Sequence, residues 1–548
     1  MQVRHPCDVL VIGGGGAALR AVIAAKEVVS DVVVCCKGEA GRSGSTMYAG
    51  CSMIAALPTD PPEAVQSHFK DTMAVGKFLN EEALVEELVT HAGVEIPRLE
   101  GFGVKLHIKK GDFLLGKGPD AVLPSGVEPD YAGYDFAVRG LALTQPLALE
   151  AARRGVEILN QVAVIRLVLS HGEVFGALGV DLATGEVLLF PAKAVVLASG
   201  GGGWLYAQTS NSPDLTGDSF TLALEAGATL RDMEFVEFNP CRLLYPDMPT
   251  NLPPDLFSYG GVLRNAEGER FILNHNPKGE EASFREEMPR LLAREVKEGR
   301  GVRGGVWLDA TTVPPEVWED RYPFLYAALR QHGVDPQKEF LVFGVRANLF
   351  AGGVKVGIRG RTELPGLFAA GEAVGGVHGA KRFGGNSVAH AIVSGALVGR
   401  EAAEEAKGPR RVPDLSAAPV PRFVERAGAI RIPDIEGELR RVMWEDVGLI
   451  RSANSLGLAL EKIESCQKAL AECDLSSRQD HIRAFTLHSM LLTAEGVTRS
   501  ALLRRESRGP HYRDDFPAQE RSWLGSVDVR QSPSGLDVAF KAKEKRES

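Results

Sequence analysis

One arrangement near the amino terminus limits what this chain can become. The apolar run Asp8-Val-Leu-Val-Ile12 leads straight into glycines 13 to 16 and then into AALRAVIAAKE. It reads as a buried strand, a tight turn and a helix whose amino end is left bare, a place suited to an anion. A second apolar strand, VVVCC (32–36), follows and completes the first half of a βαβ unit. Two later segments repeat the signal. KAVVLA (193–198) runs into Ser199 and glycines 200 to 203, and LFAA (367–370) runs into GEAVGGVHGAKRFGGNS (371–387). Three strands that end in glycine turns, far apart in sequence, predict one nucleotide-binding domain assembled from distant segments. The third turn also sets His378, Lys381 and Arg382 among its glycines. Glycine lets backbone come close to a ligand, and long basic side chains there point to an anion. A flexible loop with solvated charges is the bland alternative.

At 548 residues the chain is too long for one core, and three or four structural units are expected. Its 44% hydrophobic and 24% charged composition is that of a globular protein, and a net charge of −9 argues against nucleic acid as the main partner. No apolar run is long enough to span a bilayer, and MQVRHPCDVLVIGGGG carries no cleavable signal pattern. The expectation is a cytoplasmic chain, with a peripheral place at the inner membrane open to it through partner subunits. The seven cysteines (7, 35, 36, 51, 241, 466, 473) include no CxxC pair, so neither a disulfide framework nor a cysteine-ligated metal is expected.

The fold class read from this pattern is α/β: a Rossmann-like FAD-binding domain built from discontinuous segments, an inserted α+β capping domain and a C-terminal helical domain. The boundaries expected are 1–235 and 346–407 for the cofactor domain, 236–345 for the cap, 408–510 for the helical domain and 511–548 for a C-terminal segment. GPRRVPDLSAAPVPR (408–422) reads as a linker. Leu456, Leu460, Ile463 and Leu470 recur at helical spacing and read as a core-facing stripe. FKAKEKRES (540–548) reads as a solvated terminus.

In the opening turn, Gly13, Gly15 and Gly16 permit a tight bend and close approach of a pyrophosphate. Ala17 and Ala18 stand near where a third glycine often packs helix on strand. The acidic residue expected near the end of the second strand is missing, because that strand ends Cys35-Cys36-Lys37. A standard NAD-type ribose clamp is therefore not expected.

The chain resembles the flavoprotein subunits of succinate dehydrogenase and fumarate reductase, and L-aspartate oxidase. The resemblance rests on CKGEAGRSGSTMYAGCS (36–52), ASGGGGWLYAQTSNSPDLTGDS (198–219), GEAVGGVHGAKRFGGNSV (371–388) and RRESRGPHYRDDFP (504–517), and it covers essentially the whole chain. It implies FAD, held by the opening turn (Gly13, Gly15, Gly16, Ala17, Ala18) and by Cys36, Lys37, Ser43, Gly44, Ser45, Thr46, Gly50 and Cys51. Asp218, Glu372, Asn386, Ser387 and Val388 complete that set. Some members join the flavin covalently through a histidine in the segment that reads GRSGST (41–46) here. This chain offers no histidine there, so non-covalent FAD is expected. By the same resemblance Arg382 grips a substrate carboxylate above the flavin, a task that suits a planar fork of donors.

The resemblance also shows where this chain departs. The family's proton-carrying arginine falls on Arg285, within ASFREEMPRLLAREVKEGRG (282–301), with a surface helix laced by Arg–Glu pairs as the alternative. The arginine and glutamate that resupply its proton, in TE-x-x-RGEGG, are replaced by residues within 253–259, as is the substrate-contacting threonine. EFxQFHPT becomes EFVEFNPC (234–241), and PTAHYTMGG becomes VRANLFAGG (345–353). Asn239 and Asn348 thus stand where histidines bind carboxylates, and an amide donates a hydrogen bond without carrying charge. Arg242 and Arg346 either restore positive charge or are solvated; Cys241 and Tyr259 are either pocket residues or filling; Cys35 reads as core.

The leading expectation is an FAD-dependent oxidoreductase that exchanges a hydride with an anionic, carboxylate-bearing substrate; the replaced His, Thr and Glu positions point away from succinate and fumarate without excluding them. Electrons would pass to an iron–sulfur partner, since the ligands of a cluster are missing from this chain; Trp523 lies in a tail resembling the partnered enzymes. An L-aspartate oxidase-like enzyme and a non-catalytic FAD electron-relay subunit are the alternatives.

Overall fold

The computed structural model describes residues 2–109, 124–134, 138–252, 254–280, 287–413, 415 and 425–543. Its organising element is the central strand Val187–Leu197, buried along its length except at Lys193, whose ammonium meets Asp8 at 2.8 Å. Such a continuous apolar run suits a strand covered on both faces. The carboxyl half of this strand pairs in parallel with Cys7–Ile12 on one side and with Leu367–Ala369 on the other. Leu197 is level with both Ile12 and Ala369. The three glycine-ended strands are therefore neighbours, and their turns leave the sheet at one edge. Val32–Cys36 and Glu157–Asn160 extend the parallel set. The amino half of the central strand pairs antiparallel with Glu173–Asp181, which pairs onward with Val162–Ser170.

Helix Gly16–Ala25 is buried at every position. It packs on helix Asn386–Lys407, where Gly395 and Gly399 allow close approach: a Cβ there would lie 2.5 Å from the Ala17 carbonyl oxygen and 2.2 Å from that of Ala21. Arg20 is tolerated in this layer because its Nη2 donates to Glu95 at 2.6 Å.

The insertion forms a five-stranded sheet in the order Asp247–Asn251, Val236–Tyr245, Leu341–Phe350, Val306–Asp309, Val262–Arg264. The strand Leu341–Phe350 crosses the boundary expected at 345. Among the described residues no helix is long and apolar enough to cross a membrane.

Three helices follow, Ile432–Glu445, Ala453–Glu472 and Arg478–Leu503, the last two opened by capping boxes at Ser452/Ser455 and Ser477/Asp480. The buried stripe of Ala453–Glu472 is Leu456, Ala459, Ile463 and Cys466. Leu460 and Leu470 are only half-buried, because alanine and cysteine can hold core positions that a reading based on leucine spacing passes over. The expected linker is docked at its start, where Arg410 lies 4.2 Å over the Phe175 ring and donates to the Val174 carbonyl. Leu415 is buried; residues 414 and 416–424 lie outside the described set.

The carboxyl end differs from expectation. Gly525–Ser532 and Gly535–Ala542 form a hairpin, and its first strand pairs with Leu230–Arg231. Phe540, Lys541 and Lys543 are therefore placed rather than free. Phe540 meets Trp523 edge-on at 4.7 Å, Lys541 pairs with Asp528 at 2.9 Å, and Lys543 donates to the Asn80 carbonyl at 3.0 Å.

Within RRESRGPHYRDDFP, Arg504, Glu506, Arg508, His511 and Arg513 are buried and form an ionic core, while Arg505 and residues 514–517 are exposed. Arg504 is fully buried and donates to Glu234 at 2.5 Å, Glu506 at 3.0 Å and the Gly525 carbonyl at 2.9 Å. Arg508 holds both Glu506 oxygens, at 2.7 and 2.9 Å.

Candidate active site

At the shared sheet edge the three glycine turns wall a groove. About 960 Å³ of open space lies within it, solvent at its mouth included. Gly13 has φ +135°, and a Cβ there would fall 2.2 Å from the Ala198 carbonyl oxygen, so the first and second turns touch through bare backbone. The helix that begins at Gly16 has no side-chain cap, and Gly15 has open groove in front of it apart from Thr46 Oγ1. Its amino-terminal N–H groups therefore face the groove, and they suit a diphosphate.

The groove fits FAD by donor chemistry as well. Lys37 follows the second strand and donates to Asp218 Oδ2 and to Thr216 Oγ1, both at 2.7 Å. A carboxylate, which strand two lacks, thus stands beside its end at the start of helix Asp218–Ala226. Glu372, also in the wall, accepts the Phe350 N–H at 3.0 Å. A diphosphate-binding helix end, a lysine and two carboxylates are what a dinucleotide with ribose and ribityl hydroxyls needs.

Gly13, Gly15, Gly16, Ala17, Cys36, Lys37, Ser43, Gly44, Ser45, Thr46, Asp218, Glu372, Ser387 and Val388 all line this groove. Four other expected cofactor residues are not in its wall. Ala18 is fully buried on the core side of its helix. Gly50 and Cys51 lie behind the 43–46 loop, where Cys51 Sγ donates to the Thr46 carbonyl at 3.5 Å and a Cβ on Gly50 would meet Arg139 at 2.9 Å. Asn386 is turned away: His68 Nε2 lies 2.7 Å from its Oδ1, and its Nδ2 donates to Thr72 at 2.9 Å. One residue of helical rotation separates it from Ser387, and that is enough to change its face.

Asp214 and Ser199 also line the groove, and the sequence reading passed them over. Asp214 Oδ2 accepts the Gly44 N–H at 2.7 Å and so shapes the 43–46 loop. Ser199 Oγ and Ser219 Oγ lie 2.6 Å apart and tie the second turn to helix Asp218–Ala226. Both residues sit inside the quoted motif 198–219, where the serines and the extra aspartate were the available signal. Cys36 Sγ lies 3.1 Å from Ser43 Oγ, and burial pushes its thiol pKa up. Cys35, a core residue as read, is shifted further in the same sense and for the same reason.

Burial, opposed by the Phe350 N–H and by Arg382, pushes the Glu372 carboxyl up to about 7. Below its ordinary value near 4.5 this carboxyl is neutral in folded and unfolded chains alike. As pH rises from there to about 7, the unfolded chain sheds the proton first and the fold loses stability. The apoprotein should therefore have a lower melting temperature at pH 8 than at pH 5 from this group, and Glu372→Gln should flatten that part of the profile. An unchanged slope in the variant would remove Glu372 as its cause.

The cap strands meet the third glycine turn, whose ends Glu372 and Ser387 line the groove. The Arg382 amide donates to Glu237 Oε1 at 2.5 Å, and Arg382 Nε stands 3.4 Å from Glu237 Oε2. Along that strand Glu237 and Asn239 are half-buried while Val236, Phe238 and Pro240 are buried. Asn239 is level with Arg346 in the neighbouring strand. Asn348 Oδ1 accepts Ser210 Oγ at 3.0 Å, and its carbonyl accepts Asn211 Nδ2 at 2.8 Å. Ser45 Oγ donates to Asn211 Oδ1 at 2.9 Å. A chain of hydrogen bonds thus joins the 43–46 loop to Asn348. With its oxygen held by Ser210, the Asn348 amide has its NH2 edge left to donate.

Arg285 lies outside the described residues, as does Pro253. Arg242 is buried rather than solvated. Tyr259 lies beneath the Arg321 guanidinium at 5.5 Å and fills space in the cap; the Cys241 side chain lies outside the described set. His378 is buried against His390, ring centroids 5.3 Å apart, and burial lowers both imidazoles, that of His390 to about 4. It is a neutral packing residue. Lys381 and Arg382 are half-buried.

The family described as FAD binding domain matches residues 8–388, and that described as fumarate reductase flavoprotein C-term matches residues 436–543. The chain is 38% identical over 535 residues to a fumarate reductase (CoM/CoB) subunit of Methanothermobacter marburgensis, covering 95% of this chain and 97% of that one. It is 30% identical to an L-aspartate oxidase of Synechocystis sp., covering 88% and 90% of the two chains. Among solved structures, Mycobacterium smegmatis Sdh1 in complex with UQ1 superposes with a TM-score of 0.87 at 30% identity, covering 100% of this chain and 95% of that one.

Proposed function

The chain belongs to the succinate dehydrogenase and fumarate reductase flavoprotein family and is an FAD-dependent oxidoreductase, and from that premise we propose that it exchanges a hydride with a carbon–carbon bond beside a carboxylate. Bound FAD supplies two-electron hydride chemistry to the substrate and accepts electrons singly or in pairs from elsewhere. The residues of this chain do the rest. The opening turn and the helix behind it hold the diphosphate, while Asp218 and Glu372 take the sugar and ribityl hydroxyls. Arg382 holds the substrate carboxylate. The amides of Asn239 and Asn348 orient the remainder of the substrate and draw electron density from the reacting bond. Arg285 is the proposed proton carrier.

The observation that carries this reading is the contact of Arg382 with the cap strand that bears Asn239, in a glycine turn whose ends line a groove suited to a dinucleotide. Arginine's fork of donors suits carboxylate recognition at that position. The 38%-identical relative is named as one subunit of a fumarate reductase. By extension we assign this chain an iron–sulfur partner and a cytoplasmic place.

The test is anaerobic. The flavin is reduced with dithionite, then an unsaturated carboxylate, oxygen or an electron-accepting dye is added in turn. The proposal expects the absorbance to recover with the carboxylate. Recovery with oxygen alone would mark an oxidase like the Synechocystis relative, and recovery with dye alone would mark an electron-relay subunit. The segment 41–46 has no histidine, and denaturation should release the flavin. Acid precipitation should leave the yellow colour in the supernatant; a yellow pellet would show a covalent bond.

A further inference from the structure

We propose that Glu237 makes this site select a substrate with one carboxylate and an uncharged polar group at its other end, and turn away dicarboxylates. The inference rests on the functional reading above and narrows it. Glu237 meets Arg382 twice, through the amide at 2.5 Å and through Nε at 3.4 Å, and both side chains are mostly shielded. Arg382 and Glu237 together carry no net charge. A guanidinium carries Nη donors besides the Nε that stands near Glu237, and one planar edge of them is enough for one carboxylate.

A second carboxylate finds different surroundings. Asn239 lies two residues on from Glu237 and is half-buried like it, on a strand whose pairing shifts register between Glu237 and Phe238. Asn348, its oxygen held by Ser210, offers N–H donors without charge. A second anion seated among these amides would face Glu237 as a like charge in a partly desolvated site, whereas an amide, ester or hydroxyl group would not. By the resemblance to EFxQFHPT, this chain's EFVEFNPC (234–241) sets Glu237 at the glutamine position and Asn239 at the histidine position. On one strand, two residues apart, an anion thus stands at Glu237 and an uncharged amide at Asn239, with Arg346 level with Asn239 on the neighbouring strand.

Fumarate and its monoamide, fumaramate, present the same carbon–carbon double bond at pH 7.5, one as a dianion and the other as a monoanion. The test measures anaerobic reoxidation of the dithionite-reduced holoprotein by each, in the wild type, Glu237→Gln and Glu237→Asp. The wild type should favour fumaramate in second-order rate constant by about tenfold, the scale of one charge contact in a partly screened site. Glu237→Gln should raise the fumarate rate relative to the fumaramate rate by about the same factor, so that the preference for fumaramate is lost. Glu237→Asp, which keeps the charge, should keep the preference. Flavin content and melting temperature of each variant show whether the fold is intact. A wild type that favours fumarate, or a preference unchanged in Glu237→Gln, overturns the assignment to Glu237. Failure of both acceptors in the wild type brings down the functional reading, and the inference with it.

Discussion

Arg382→Ala is expected to lower the rate of flavin reoxidation by a carboxylate substrate about a hundred- to a thousandfold while FAD stays bound. The size follows from the loss of a charge-assisted contact that orients the substrate and stabilises charge as it develops, on the order of 3–4 kcal/mol. The separation of activity from cofactor content follows from geometry. Arg382 reaches toward the cap and Glu237, and it is not among the residues that line the cofactor groove. Its amide, which also holds Glu237, is backbone and survives the substitution. Arg382→Lys should recover only part of the activity, since an ammonium is a point charge without the bidentate fork. Glu237 loses its cation in Arg382→Ala, so the double variant with Glu237→Gln separates that cost from lost substrate binding. Stopped-flow absorbance of the flavin reads both rate and occupancy. An alanine variant with the wild-type rate would remove Arg382 from the site.

Arg504→Ala should cost about 3–5 kcal/mol of stability, the usual penalty for stranding buried ionic partners. Glu234 and Glu506 are both fully buried and both bound by this guanidinium. Asp232 lies 3.7 Å from it, and its carboxyl is already pushed up to about 7 by burial and then by Glu234. Without Arg504 three carboxyl groups share a dry space. The same side chain donates to the Trp523 and Gly525 carbonyls at 3.0 and 2.9 Å, so it also pins the start of the C-terminal hairpin. A fall in melting temperature of about 10 °C is expected, on the order of 2–4 °C per kcal/mol for a unit of this size. Loss of the hairpin's protection in hydrogen exchange should accompany it. A shift of less than about 2 °C would mean that water or side-chain rearrangement takes over the role of Arg504.

How much of this was legible in the sequence depends on the range of the interactions. The three glycine-ended strands were readable because each signal is local: an apolar run, a sharp turn, a helix start. Their adjacency around Val187–Leu197 followed from the turn chemistry and the resemblance together. The orientation of single residues within a motif was less readable. Asn386 and Ser387 are neighbours in sequence and face opposite ways, because helix rotation and the partners His68 and Thr72 decide the matter. Lys37 and Asp218 are 181 residues apart, and no periodicity announces such a pair. The terminal FKAK read as solvated because charges alternate with apolar residues. Strand alternation gives the same pattern, and only the pairing with Gly525–Ser532 distinguishes the two. In the substrate region the losses were visible as substitutions. The pairing of Glu237 with Arg382 required the fold, since the two residues are 145 positions apart.

The direct test of the central claim, that a carboxylate sits over the flavin in the grip of Arg382, is an absorbance titration of oxidised holoprotein with crotonate, an unsaturated monocarboxylate. A bound anion beside the ring should shift the flavin bands saturably in the wild type, with the shift gone or weakened at least about thirtyfold in Arg382→Ala, roughly 2 kcal/mol of lost binding. Flavin bands unmoved by crotonate, fumaramate and fumarate alike, or an equal shift in the alanine variant, would contradict it.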